Sequence, residues 1–326
     1  MGDASESVST FIVTGASRGI GLATAEKLAA EGERRRIVLV CRDADRGRAA
    51  LTRVQRAAVG SPTNTGELLI ADLSSQQSIR RLAAEIDTRY PRLDVLIHNA
   101  GVITLERRLT EDGIETQLAV NHLAPFLLTH LLRPALAASQ AGRVVVVASQ
   151  VERHGTIRFD DLQGEQGYQP LEAYYQSKLA NVLFTYALAA RWKGPEITVN
   201  CLHPGVVRSS LLDNFKTAAR SNVEARSPVA TPPAQLLRGA LRLGRGVVRT
   251  GLRRLMPRKP DADDDGPLTP EQGAAVPAYV ATAPELAGVS GRYFREVGEA
   301  QTSPASYDRG VQDQLWAASA ALVGLG

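Results

Sequence analysis

The stretch that most restricts the fold is Thr10-Phe11-Ile12-Val13-Thr14, which runs straight into Gly15-Ala16-Ser17-Arg18-Gly19-Ile20-Gly21. The apolar, β-branched run predicts a strand, and the helical spacing that follows predicts a helix over 22–30. Between them, glycines permit a tight turn and let backbone N–H groups approach a pyrophosphate at the helix N-terminus. The spacing is Gly-x-x-x-Gly-x-Gly, so it is the strand–turn–helix setting that makes the pattern informative. Further strands are predicted at 37–41, 68–73, 93–97, 143–149 and 197–202. Helices are predicted at 78–90, 111–132 and 174–190, which gives a repeated β-α alternation. That alternation argues for a Rossmann-type doubly wound parallel sheet with helices on both faces. The unbroken valine run from Val144 to Val147 suits a central strand buried on both faces.

Composition narrows the class. With 326 residues, 44% hydrophobic and 22% charged, the chain is long enough for one large core. A net charge of +4 is too mild to suggest nucleic acid. Two cysteines, Cys41 and Cys201, offer no disulfide framework and fit a reducing cytoplasm. The first ten residues are polar and acidic, unlike a signal peptide, and no apolar run reaches the length of a membrane span. A cytoplasmic protein without an integral membrane segment is expected, and no metal-ligand pattern stands out.

The residues with chemical potential sit at strand ends and on one helix. Strand 37–41 ends beside Arg42 and Asp43. In dinucleotide folds this end faces the adenosine ribose, where an acid selects NAD and an arginine accommodates the 2′-phosphate. Arg42, with Arg18 in the glycine loop, favours NADP(H). Asp72 ends the third strand as an acid placed to reach the adenine amino group. Asn121 is an amide among apolar helical neighbours, either a satisfied core group or a catalytic one. Ser149 closes the valine strand at the edge where open α/β sheets bind ligands. Tyr174 and Lys178 stand four apart, so one helix face carries a phenol beside an ammonium. A phenol titrates near ~10, and a neighbouring cation is expected to lower that value toward neutrality. The plain alternative is a core tyrosine beside a snorkelling lysine.

Taken in order, Thr14 to Gly21, Asn99-Ala100-Gly101, Asn121, Ser149, Tyr174-x-x-x-Lys178 and Pro204-Gly205 resemble the short-chain dehydrogenase/reductases from about residue 10 to 323. Cys41-Arg42-Asp43, Leu162-Gln163-Gly164-Glu165, His203-Pro204-Gly205 and Ser303-Pro304-Ala305-Ser306-Tyr307 look closest to the retinol-dehydrogenase-like branch, related to the light-dependent protochlorophyllide reductases. The resemblance implies that Tyr174 is the acid/base, that Lys178 lowers its pKa and holds the nicotinamide ribose, and that Ser149 bonds the substrate oxygen. It gives Asn121 a water between Lys178 and solvent. It lays the cofactor along Gly15, Ser17, Arg18, Gly19, Ile20 and Gly21, then Arg42, Asp72 and Leu73, then Asn99, Ala100 and Gly101. Pro204, Gly205, Val207 and Ser209 join Tyr174 and Lys178 around the nicotinamide. His98, Ala148 and Ser209 depart from the commoner asparagine, serine and threonine. The implied activity is NADP(H)-dependent carbonyl–alcohol interconversion on a lipophilic small molecule. The alternatives are reduction of a carbon–carbon double bond, or a catalytically silent NADP(H)-sensing protein. A homodimer or homotetramer is implied, paired through the helices around Asn121 and Tyr174.

The last third is individual. The whole chain reads as one domain, with a core at 10–209, an insertion at 210–268 and a closing segment at 269–326. Thr269-Pro270-Glu271-Gln272 carries the pattern of a capped helix start. Residues 235–256 combine an apolar stripe with six arginines, which suits a substrate lid or a helix lying on an anionic membrane. Four glycines and the absence of tryptophan and phenylalanine favour the lid.

Overall fold

The structure, a computed structural model, describes residues 8–194, 196–225 and 266–325. The stretch 235–256 and most of the insertion lie outside the described residues.

Strand β1 (Ser9–Thr14) leads through the glycine turn into α1 (Gly19–Ala30), then β2 (Arg35–Cys41), α2 (Ala44–Ala57), β3 (Thr65–Ile70), α3 (Gln76–Arg89) and β4 (Val95–His98). The second half runs through α4 (Thr116–Leu118), a π-turn (Ala119–Leu123), α5 (Ala124–Leu131), α6 (Arg133–Ala138), β5 (Gly142–Val147), α7 (Pro170–Arg191), β6 (Ile197–His203) and α8 (Ser210–Ala225). After the insertion come α9 (Pro270–Gly273), α10 (Ala275–Thr282), β7 (Tyr293–Arg295), β8 (Gly298–Glu299) and α11 (Arg309–Val323). Among the described residues the sheet order is β3-β2-β1-β4-β5-β6-β7-β8. Every pairing is parallel except the last, β7 with β8. The order reverses between β1 and β4, which opens a crevice at their C-terminal ends.

Alternation along each strand feeds two cores. Ile12, Val38 and Val144 face α3, α5 and α7, whereas Phe11, Val13 and Val145 face α1, α2 and α10. Helix α7 is apolar all round because it is covered all round: 16 of its 22 residues are buried. The sheet covers one side. On the other, Leu315 of α11 meets Leu179 and Leu183, and the Trp316 ring sits 5.0 Å from Phe126 and 6.3 Å from Phe184. The Arg191 guanidinium lies 4.2 Å over Trp316.

One predicted element is corrected. The helix expected over 111–132 begins at Thr116, because Leu109 and Glu115 form an antiparallel bridge around a turn at Thr110–Gly113. Glu115 then ends that hairpin, its carboxylate accepting from the N–H groups of Gln117 and Leu118. Asn121 falls in the π-turn, just before Pro125 of α5. The capping box at Thr269 and Gln272 is present as expected. Strands β3 and β5 end at Ile70 and Val147, so Asp72 and Ser149 lie just past their strands, in the loops.

Candidate active site

A cavity of about 740 Å³ lies over the C-terminal ends of the parallel strands. Its floor is built at the crevice. Thr14 Oγ1 donates to the Ile97 carbonyl and accepts from the N–H groups of Asn99 (3.0 Å) and Ala100 (3.1 Å). Asn99 Nδ2 returns to the Thr14 carbonyl at 2.9 Å. The loop after β4 is thereby stitched to the glycine turn. A Cβ on Gly15, whose φ is +66°, would stand 2.8 Å from Ala100 Cα. One on Gly21 would strike the Asn99 amide. Only glycine lets the turn and the loop approach so closely.

The cradle fits a dinucleotide. Helix α1 has no side-chain cap and no acidic residue in its first turn, so its N-terminal N–H groups are free for a phosphate. Around the β2 end stand the exposed guanidiniums of Arg18 and Arg42, with a third, Arg46, that the sequence reading missed. Arg46 is one helical turn beyond Arg42, a spacing that was readable. Asp43, the acid that argues for NAD, is occupied instead as the α2 cap, accepting from Arg46 N–H at 3.0 Å. One Asp72 oxygen, Oδ1, is likewise taken by the backbone N–H and hydroxyl of Ser74. Leu73, Asn99, Ala100 and Gly101 line the same cavity.

At the other end the cavity brings together Ser149, Tyr174, Lys178, Pro204, Gly205, Val207 and Ser209. Of the residues given a catalytic or cofactor-binding place in the sequence, Asn121 alone stands outside the lining. Its amide is saturated by Val102, through that residue's N–H and carbonyl, and by the Ser177 hydroxyl. Gly101 separates it from Lys178: a Cβ there would be 3.5 Å from Asn121 Oδ1 and 3.7 Å from Lys178 Nζ. Pro125 has no N–H to return four residues back, which leaves the Asn121 carbonyl without its usual helical donor. The Ser209 hydroxyl caps α8, accepting from Leu212 N–H at 3.2 Å.

The lysine and phenol differ from expectation. Lys178 is 4% exposed, donates to the Val147 carbonyl at 3.0 Å, and is brought down to about 8 by burial. Its Nζ stands 5.7 Å from the centre of the Tyr174 ring. Tyr174 is also buried, and burial, with Tyr175 beside it, holds the phenol well above its ordinary value. In this arrangement desolvation outweighs the ammonium, so the phenol stays protonated. Phe215 of α8 covers the site, its ring 6.2 Å from Tyr174 and 6.3 Å from Tyr175. Val207 bridges to Leu268 across the insertion, so both ends of that segment meet at the cavity rim. Phe215 carried no sequence signal, because nothing in its neighbourhood fixes what the insertion packs against. Among the described residues no group of three or more His, Cys, Asp and Glu is arranged to hold a metal ion. No described helix is long and apolar enough to cross a membrane.

Fold and cradle together define the doubly wound, dinucleotide-binding class. Residues 9–220 match the short chain dehydrogenase family, and the chain belongs to it. It is 38% identical to human retinol dehydrogenase 14 over 326 residues, covering 97% of this chain and 86% of that protein. Human retinol dehydrogenase 13 is also 38% identical, with 97% and 85% covered. A crystal structure of an uncharacterized protein from Mycobacterium Paratuberculosis superposes with a TM-score of 0.67 at 26% identity, covering 99% of this chain and 97% of that one. A short chain dehydrogenase from Shigella flexneri, complexed with NADP, shares the fold at a TM-score of 0.60 and 22% identity, with 90% and 98% covered.

Proposed function

We propose that this chain is an NADP(H)-dependent oxidoreductase interconverting a carbonyl and an alcohol on a lipophilic small molecule. The observation that carries the reading is the single cavity shared by Ser149, Tyr174, Lys178 and the glycine turn. When bound, the cofactor supplies or accepts the hydride. Tyr174 gives its proton to the substrate oxygen, and the Ser149 hydroxyl donates a second hydrogen bond to it. The Lys178 ammonium holds the ribose and favours the phenolate left behind. The Asn121 carbonyl is the acceptor for a water joining Lys178 to solvent. Val102, Ile103, Val151, Leu211 and Phe215 give the substrate end an apolar wall, which suits a substrate of the size and polarity that the relatives' name, retinol dehydrogenase, implies.

The test is reduction of retinal, decanal and acetophenone with NADPH and with NADH. Turnover with NADPH is expected, and its absence on every large apolar carbonyl overturns the reading. In the same assay Arg42→Ala and Arg46→Ala are each expected to raise the NADPH KM by about one to two decades, since a charge-assisted phosphate contact contributes about 1.5–3 kcal/mol. NADH kinetics should hardly move. Equal losses with both cofactors make these arginines structural.

The pairing expected through the helices around Asn121 and Tyr174 meets α11 on that face, already packed against α5 and α7. That face is closed to the expected pairing, and we read a homodimer or homotetramer as meeting through another surface. Sedimentation velocity should return a multiple of 34.9 kDa, and a single-chain mass at micromolar concentration counters the reading.

A further inference from the structure

Glu152 is a buried acid that the chemistry above does not use, 1% exposed and three residues past Ser149. It lies in the short 3-10 turn Gln150–His154, which starts as Ser149 leaves the sheet. Backbone bonds from Glu152 N–H to the Ser149 carbonyl (3.1 Å) and from Gly155 N–H to the Glu152 carbonyl (2.9 Å) make the turn a unit with Ser149. The Glu152 carboxylate leaves that unit. One oxygen accepts from Ser303 N–H at 3.0 Å and the other from the Ser303 hydroxyl at 2.6 Å.

Ser303 opens the Ser-Pro-Ala-Ser-Tyr stretch, and that stretch is rigid by its own bonding. The Ser306 hydroxyl, fully buried, bonds the Ser303 carbonyl at 2.7 Å and the Thr302 hydroxyl at 2.7 Å. Thr302 N–H donates to the Tyr307 hydroxyl at 3.2 Å. The Thr302 hydroxyl then meets the Tyr186 hydroxyl at 2.9 Å, and the Tyr186 and Tyr307 rings stack 5.4 Å apart. Tyr186 is on α7, the helix that carries Tyr174 and Lys178. A continuous set of hydrogen bonds thus runs from the Ser149 turn, through residues 302–307, back to the helix of the phenol. Buried polar networks of this kind, with donors and acceptors matched, fix one geometry.

We infer that Glu152 is a positioning residue, and that residues 302–307 form a strut holding the Ser149 hydroxyl in register with the Tyr174 hydroxyl on α7. This rests on the reading of Ser149 and Tyr174 as the pair that polarises the substrate oxygen. Two hydroxyls converging on one oxygen tolerate little displacement, and a shift of about 1 Å costs up to about a hundredfold in rate. The strut joins the loop after β5 to α7 through Glu152, Tyr186 and residues 302–307, none of which lines the cavity.

The test is a double-mutant cycle on the full chain. It is read by single-turnover reduction of whichever of retinal, decanal and acetophenone the wild type reduces fastest. Glu152→Ala is expected to lower that rate by about tenfold or more while NADPH affinity stays within about twofold. In the Ser149→Ala background the same change is expected to add less than about twofold, since residues acting through one another are non-additive. Glu152→Gln keeps an acceptor for the Ser303 N–H and is expected to recover most of the rate. A full, additive penalty in the Ser149→Ala background overturns the strut. Should Glu152→Ala fail to fold, Ser303→Ala, which removes one of the two bonds, enters the same cycle with the same criteria. A Ser149→Ala rate equal to wild type rejects the catalytic pair instead. The strut is then judged by amide hydrogen exchange over 149–155, which Ser303→Ala, and Glu152→Ala where it folds, must raise and Glu152→Gln must leave near wild type; unchanged exchange in Ser303→Ala overturns it.

Discussion

Tyr174→Phe is expected to lower single-turnover carbonyl reduction by about 10²–10⁴-fold, the range that a positioned general acid contributes. The substitution removes one oxygen and leaves the ring that packs beside Phe215, so the fold and the apolar wall persist. NADPH affinity should survive as well, because the phosphates are assigned to the α1 N-terminus and the arginines, at the opposite end of the cavity. The direction of reaction sharpens the test. Burial holds the Tyr174 phenol well above its ordinary value, so the proton needed for reduction is present across the neutral range and the wild-type rate should be flat there. Alcohol oxidation needs the phenolate, and its rate should climb as the pH rises into the alkaline range. In the variant both the rate and that slope are lost. Retention of more than about a tenth of the wild-type rate removes Tyr174 from the role, since general acid catalysis carries at least about two decades. Tyr175→Phe is the control. That ring lines the same cavity and also packs on Phe215, yet its hydroxyl is assigned no proton, so the effect should stay within a few-fold.

Much of this was legible because local chemistry and tertiary structure agree. The strand at Thr10–Thr14 and the glycines after it need no distant partner to be read: the turn is tight, and Gly21 gives way to the Asn99 amide. The valine run of β5 is buried on both faces, as its unbroken apolar character demands. Where the reading failed, a non-local contact decided. The helix expected from 111 starts late because Leu109 and Glu115 pair across a turn, and Glu115 spends its carboxylate on capping. Helical spacing set Tyr174 beside Lys178 correctly, but spacing says nothing of dielectric. The Val147 carbonyl takes the ammonium and burial takes the phenol the other way. Asp43, one step beyond Arg42, spends its carboxylate capping α2, and Arg46, in the first turn of that helix, joins Arg18 and Arg42 in lining the cavity. Glu152 was unreadable in principle, since its partner Ser303 is 151 residues away.

Lys178→Met should separate stability from catalysis. The ammonium is 4% exposed and burial brings it from 10.5 down to about 8. The sign follows from proton counting. Between pH 8 and 10.5 the unfolded chain keeps a proton that the folded chain sheds, so folding strengthens as pH rises through that window. Below about 8 the burial penalty is present in full, about 3 kcal/mol for that separation of values. Methionine removes the penalty and keeps most of the volume. Its cost is the Val147 carbonyl, left without the 3.0 Å donor, and an unsatisfied buried acceptor costs about 1–3 kcal/mol. The two nearly cancel, so at pH 7 the variant should unfold within about 2 kcal/mol of wild type, and on the stable side if the carbonyl finds water. Raising the pH toward 10.5 should favour the wild type relative to the variant, because only the wild type gains there. Carbonyl reduction, by contrast, should fall by about 10²-fold or more, as the phenolate loses its cation and the ribose its anchor. Chemical denaturation at pH 7 and pH 10 beside single-turnover rates decides the matter. A variant that loses more than about 3 kcal/mol at pH 7 makes the ammonium a net stabiliser of the fold. One that keeps its rate takes Lys178 out of the site.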